Sequence, residues 1–212
     1  MKVSRFCFNM FGVNTYILWD DNSKEAIIVD PGMIDDNECD TLDRFIASNN
    51  LNPIHLINTH MHIDHSFGIT HISQKYGLKP ECNSADQFLA ERLREQARMF
   101  GLHISIDDLK IDVNLKDGDK LLLGDEEIHI LQVPGHSPGS IVIYAPESAF
   151  VISGDVLFNS SIGRTDLPGG NYKQLIDTIN LKLLSLPDDT IVYPGHGPET
   201  TIGKEKLNNP YL

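Results

Sequence analysis

Between Thr59 and His65 the chain reads Thr-His-Met-His-Ile-Asp-His, an H-x-H-x-D-H cluster that sets His60, His62, Asp64 and His65 within six consecutive positions. Neutral imidazole and carboxylate are the donors that Zn(II), Fe(II) and Mn(II) accept. On a loop that leaves a strand, His60 and His62 can aim at one centre while Asp64 and His65 aim at a neighbour. Further donors stand at other predicted strand exits: His136 after 128–133, Asp155 after 149–153, and His196 after 190–193. Three His for one ion, an Asp-His-His set for a second, and a carboxylate bridging both would leave room for a bridging hydroxide. Two ions held that close together activate water and take up the charge that develops on an oxyanion.

The elements that must position these donors are legible from hydrophobic period and turn residues. Segments 3–8, 15–19 and 25–29 are short and β-branched or aromatic, with Asp20-Asp21-Asn22-Ser23 as a turn between the last two, and read as an antiparallel start. Positions 35–49 and 66–76 read as helices, the second stopped by Gly77, with a strand at 54–58 between them. Ser84-Ala85-Asp86-Gln87 has the form of a capping box and predicts one charged helix running to about Phe100. Strands follow at 121–123, 128–133, 140–144 and 149–153, then a helix over 171–184 and a last strand at 190–193. Interleaved strands and helices, with strands in excess, predict sheets covered on their outer faces by helices. An internal echo, Pro134-Gly135-His136-Ser137-Pro138 and Pro194-Gly195-His196-Gly197-Pro198, presents an imidazole at two equivalent strand exits. No linker-like run divides the chain, so residues 1–212 are expected to form a single domain.

His60-x-His62-x-Asp64-His65, followed in order by His136, Asp155 and His196, resembles the metallo-β-lactamase fold hydrolases over almost the whole chain, including Asp30-Pro31-Gly32 after the third strand. The resemblance implies an α/β fold, a four-layer αββα sandwich with metals at one edge. It implies His60, His62 and His136 at one metal, Asp64, His65 and His196 at the other, and Asp155 as the bridge. Asp30 would then orient a ligand His through its other ring nitrogen. Ser161-Ile162-Gly163-Arg164-Thr165-Asp166-Leu167-Pro168-Gly169-Gly170 and 197–203 are similar to the glyoxalase II-like branch, whose full-length members hydrolyse S-acylglutathione thioesters. This chain ends 212 − 196 = 16 residues after His196, which matches the short members lacking the helical region that helps bind glutathione.

Composition narrows the partners. Seventeen Lys and Arg against 30 Asp and Glu give a net charge of −13, so no basic face is expected for nucleic acid or for an anionic membrane surface. No apolar run reaches the roughly 18 residues of a membrane span. The first residues lack the continuous apolar stretch of a signal peptide. Cys7, Cys39 and Cys82 form no C-x-x-C pair and suit a reducing compartment, so a cytoplasmic location is expected.

The expected activity is hydrolysis of a small thioester of the hydroxyacylglutathione type by a hydroxide bridging two divalent ions, zinc foremost, with iron or manganese also suited to these donors. Asp64 is expected to position that hydroxide as well as hold a metal. Arg164 is a candidate anchor for a substrate carboxylate, with an ion pair to Asp166 as its structural alternative. His55, His71, His103 and His129 lack partners at ligand spacing and are expected at the surface or in packing, Tyr144 in the core. Met10 and Phe11 are candidates for an apolar flap. A rival reaction on the same fold is that of the persulfide dioxygenases, which share the Gly-Arg-Thr-Asp loop and would hold one iron with His60, His136 and Asp155. A nonenzymatic metal-binding module is the remaining alternative.

Overall fold

The computed structural model describes residues 1–104 and 106–212. Alternation along the strands divides their side chains between two cores. In β2 (Val13–Trp19), Ile17 and Trp19 enter one hydrophobic cluster with α1 (Asp36–Ser48) and α2 (Ile69–Tyr76), whereas Tyr16 and Leu18 enter another between two sheets. β3 (Glu25–Val29) does the same, Ala26 and Ile28 outward, Ile27 and Val29 inward. A strand buried on both faces has no polar side, and so these segments read as continuous apolar runs.

The first sheet orders β1 (Lys2–Phe8), β2, β3, β4 (Asn52–Ile57), β5 (Pro80–Cys82) and β6 (Val113–Asn114). The second sheet contains β7 (Lys120–Leu123), β8 (Glu126–Gln132), β9 (Ile141–Ala145), β10 (Phe150–Gly154), β13 (Ile191–Pro194) and β14 (Thr200–Thr201). β11 (Leu157–Phe158) and β12 (Ser161–Ile162) form a small hairpin. Ile141, Ile143 and Ile152 of the second sheet meet the first, while Val142 and Val151 meet Leu175 of α5 (Tyr172–Thr178) and Ile202 of α6 (Ile202–Asn208). The layers therefore run helix, sheet, sheet, helix, the αββα sandwich expected from the resemblance.

Strand direction places the donors. β8 and β10 are both antiparallel to β9, and β10 is parallel to β13, so β8, β10 and β13 all deliver their C-terminal ends to one edge. In the first sheet β3 and β4 are parallel and their ends also share an edge. The two edges are stitched together by the hydrogen bonds Ile141 N to Thr59 O (2.9 Å) and Asn14 N to Gly195 O (2.7 Å).

Two helix expectations need correction. The N-cap ahead of the charged segment is Asn83, whose side chain accepts from Ala85 N, and not Ser84. The segment is also broken into α3 (Gln87–Ala90) and α4 (Leu93–Met99), because Gln87 Oε1 is drawn to Ile111 N and Arg94 to Asp107 and Asp108. The second helix starts at Ile69 and not Ser66, since residues 63–65 form a tight 3₁₀ turn that bends the ligand loop back over the sheet edge.

Candidate metal centre

The loop between β4 and α2 is held by buried polar contacts before any ion is considered. Asp30, fully buried and in the left-handed region at φ 50°, accepts from both Thr59 N and Thr59 Oγ1 at 2.7 Å. Its Oδ2 also lies 3.1 Å from His65 Nδ1. Thr59 Oγ1 in turn lies 3.1 Å from His60 Nδ1. Asp30 thus stands as a charge against the outer nitrogen of His65 and reaches that of His60 through Thr59, with both Nε2 atoms turned the other way.

Those inner nitrogens converge. His136 Nε2 lies 2.9 Å from His62 Nδ1 and 3.2 Å from His60 Nε2. In a second group His196 Nε2 lies 3.1 Å from Asp64 Oδ2 and 3.3 Å from His65 Nε2, and His65 Nε2 is 3.7 Å from Asp64 Oδ2. Asp155 stands between the groups, with Oδ1 3.4 Å from His65 Nε2 and Oδ2 3.8 Å from His136 and 3.6 Å from His196. Donors about 2.0–2.1 Å from a tetrahedral ion are roughly 3.3–3.4 Å from one another. The separations in both groups scatter around that edge length. Lone pairs gathered so closely repel unless a cation or a proton sits among them, so the donor set fits a metal at each group. All seven residues singled out in the sequence are brought together.

Electrostatics distinguish the two groups. Burial, reinforced by the neighbouring His65 and His136, holds His60 well below the ordinary imidazole range. Burial and His136 likewise push His62 down to about 3. Their neutral rings offer lone pairs directly. In the other group burial opposes ionisation, yet Asp64 and Asp155 outweigh it and hold His65 well above its usual value. His196 is raised too, against burial, by its contact with Asp64 and by Asp155. Burial would lift both carboxylates, and His65 overrides it to keep Asp64 and Asp155 below the usual range. This group rests as a charge-paired cluster, whose protons an incoming cation replaces.

Several positioning residues escaped the sequence reading. Asp86, buried, accepts from Met61 N (3.1 Å), Ser137 Oγ (2.7 Å) and Gly139 N (2.6 Å), clamping the His60–His62 loop to the His136 loop. Gln96 of α4 accepts from Ile63 N and donates to Met61 O. The carbonyl of Arg164 lies 2.7 Å from His136 Nδ1, and that of Phe11 lies 3.1 Å from His196 Nδ1. None of these has a local sequence signature, because each acts on a segment distant in the chain. The glycines of the Pro-Gly-His echo have separate reasons. A methyl at Gly135 would collide with the backbone of Leu175, and one at Gly195 with the carboxylate of Asp155.

The donors floor a cavity of about 250 Å³ that Phe11, Met99, Phe100 and Arg164 also line. Phe11 packs edge-on to Phe100, centroids 5.4 Å apart, which gives it the wall position expected of a flap, while Met10 points outward, 63% exposed. Arg164 lines the cavity, and its guanidinium forks onto Asp166 at 2.7 and 2.6 Å, the ion pair given as its structural alternative. His55 pairs with Glu81 at 2.6 Å and His71 with Asp43 at 2.8 Å, away from the centre.

Residues 9–196 match the model of the metallo-beta-lactamase superfamily. The chain belongs to that superfamily. Hydroxyacylglutathione hydrolase GloC of Haemophilus influenzae is 42% identical over 219 residues, covering 100% of this chain and 98% of that protein. The crystal structure of BLEG-1 B3 metallo-beta-lactamase superposes with a TM-score of 0.89 at 33% identity, covering 100% of this chain and 99% of the other. That of TTHA1623 in a di-iron-bound form gives 0.87 at 36% identity, covering 99% and 100%. This metallo-hydrolase superfamily chain thus matches relatives of its own length throughout, and no helix among its described residues is long and apolar enough to cross a membrane.

Proposed function

We propose that this superfamily member is a binuclear metal-dependent hydrolase of thioesters, with hydroxyacylglutathione-like compounds as substrates and zinc at both positions. The observation that carries the proposal is the pair of donor groups sharing Asp155 on the floor of one cavity. His60, His62 and His136 hold one ion, Asp64, His65 and His196 the other, and Asp155 lies between both. When bound, the ions supply acidified water and a positive field for the carbonyl oxygen and the departing thiolate. Water adds to the carbonyl carbon, the C–S bond breaks, and the proton released by water ends on the thiol.

The chain's own residues do the rest. Asp64, at the cavity floor, accepts a hydrogen bond from the attacking water and orients it. Phe11 and Phe100 exclude bulk water, and Arg164 meets a carboxylate on the substrate while sharing its charge with Asp166. No Ser or Cys stands among the described lining residues, which agrees with water as nucleophile. In this reading residues 1–212 act as one domain, because the donors span 60–196 and come from both sheets. The three free cysteines suit work in the cytoplasm. The name of the Haemophilus relative supports the substrate class, and the di-iron form of TTHA1623 supports two ions while keeping iron beside zinc.

The test combines elemental analysis with turnover of a thioester panel. Two metals per chain with thioester cleavage is the expected result, and Asp64→Asn and Asp155→Ala are expected to abolish turnover while the fold survives. Full activity in metal-replete Asp155→Ala would refute the reading. One iron per chain with oxygen uptake on a persulfide would replace it by the dioxygenase. Cleavage of a β-lactam without thioester cleavage would replace it by a lactamase.

A further inference from the structure

The composition of the cavity bears on the acyl half of the substrate, given the thioester chemistry proposed for the metal centre. Over the floor of imidazoles and carboxylates the walls are mostly apolar: Leu89 of α3, Met99 and Phe100 at the end of α4, and Leu167 and Pro168 on the loop after β12, with Gln96 and Arg164 as the polar members. Leu89, Met99 and Pro168 also line, with Phe88 and the exposed Arg92 and Glu95, an adjoining hollow of about 50 Å³, so apolar surface continues between the two helices and that loop. Met99 is 65% and Phe100 45% exposed, and both line the cavity, with Phe11 edge-on to Phe100. Arg164 is the one Lys or Arg among the described lining residues, and the Nε–Nη2 edge of its guanidinium is already paired with Asp166.

Such walls penalise a charged or strongly hydrated substituent, which loses water and finds no partner. They reward each methylene removed from water by about fourfold in binding. We propose that the acyl group carries a bulky apolar substituent, alkyl or aryl, which seats between Leu89 and Met99 on one side and Leu167 and Pro168 on the other; this rests on the thioester reading of the site. A hydroxyl beside the carbonyl is compatible with this placement, since the polar floor lies at the carbonyl. The substrate class is then the thioesters of 2-hydroxy acids with hydrophobic side groups, in preference to the smallest member, lactoyl.

The experiment uses zinc-loaded full-length protein and glutathione thioesters in the order lactoyl, 2-hydroxybutanoyl, 2-hydroxypentanoyl and mandeloyl. For the wild type kcat/KM is expected to climb about fourfold per added methylene and to be at least about tenfold higher for mandeloyl than for lactoyl. In Met99→Gln, a change at an exposed position that folding tolerates, the climb flattens. A flat or falling series in the wild type overturns the inference and leaves thioester hydrolysis standing. A climb equally steep in Met99→Gln overturns the assignment to this wall. A protein that carries two zinc ions and turns over no member overturns the thioester reading and this inference with it.

Discussion

Gly195→Ala presses on Asp155, and less strongly on the edge of His65, without removing any donor atom from the site. Gly195 is not among the residues with positive φ, so alanine brings no backbone strain of its own. Its added methyl would overlap Asp155 Oδ1 and lie 2.8 Å from His65 Cε1. The backbone cannot easily yield, because Gly195 N donates to Gly154 O at 2.8 Å and Gly195 O accepts from Asn14 N at 2.7 Å. The carboxylate must move instead, by about 1 Å to reach ordinary contact distance. A shift of that size at the reacting centre costs about 10²-fold in rate, or about 2.7 kcal/mol of transition-state stabilisation. The assays are kcat/KM on a thioester, metal content per chain, and thermal unfolding to show that the fold persists. Two metals per chain with kcat/KM within about threefold of wild type would refute the reasoning, since Asp155 would then tolerate displacement.

Asp86→Ala leaves Met61 N, Gly139 N and Ser137 Oγ without their buried acceptor. It is expected to lower stability by about 2–4 kcal/mol in urea unfolding and to drop metal content from two per chain to one, as the His60, His62 and His136 group loosens. Arg164→Ala removes an exposed pair with Asp166, so the unfolding temperature should hold. KM should rise severalfold for a glutathione thioester and stay unchanged for the same acyl group on an uncharged thiol. Zinc affinity should weaken steeply as pH falls from 8 to 6 in a chelator competition, with proton release on binding. The sign follows from His65 and His196, which the neighbouring carboxylates keep protonated above their usual range and which must lose those protons to the metal.

The positions of the main strands and the antiparallel start were legible because strands buried on two faces, such as β2 and β3, leave uninterrupted apolar runs between turn residues, whereas the parallel pairing of β3 with β4 and of β10 with β13 was not. The seven donors were legible because four crowd into one loop and the others follow strand exits marked by Pro and Gly. The short strands β5, β6, β11, β12 and β14 left no period to read at two or three residues each. The break between α3 and α4 was hidden because it depends on Ile111, Asp107 and Asp108, partners that no local window contains.

The sequence by itself determined which atoms are available for chemistry, since residue type and strand-end position are local properties of the chain. It could not determine how far apart those atoms stand. Folding decided that Asp155 lies between two groups of donors, that Asp86 ties two ligand loops together, and that Leu89, Met99, Leu167 and Pro168 line one cavity with the donors. Distances of a few ångströms between segments more than 100 residues apart, such as those of His65 and His196, arise only when two sheets close edge to edge. Hydrogen bonding and burial there then set the charge each donor carries.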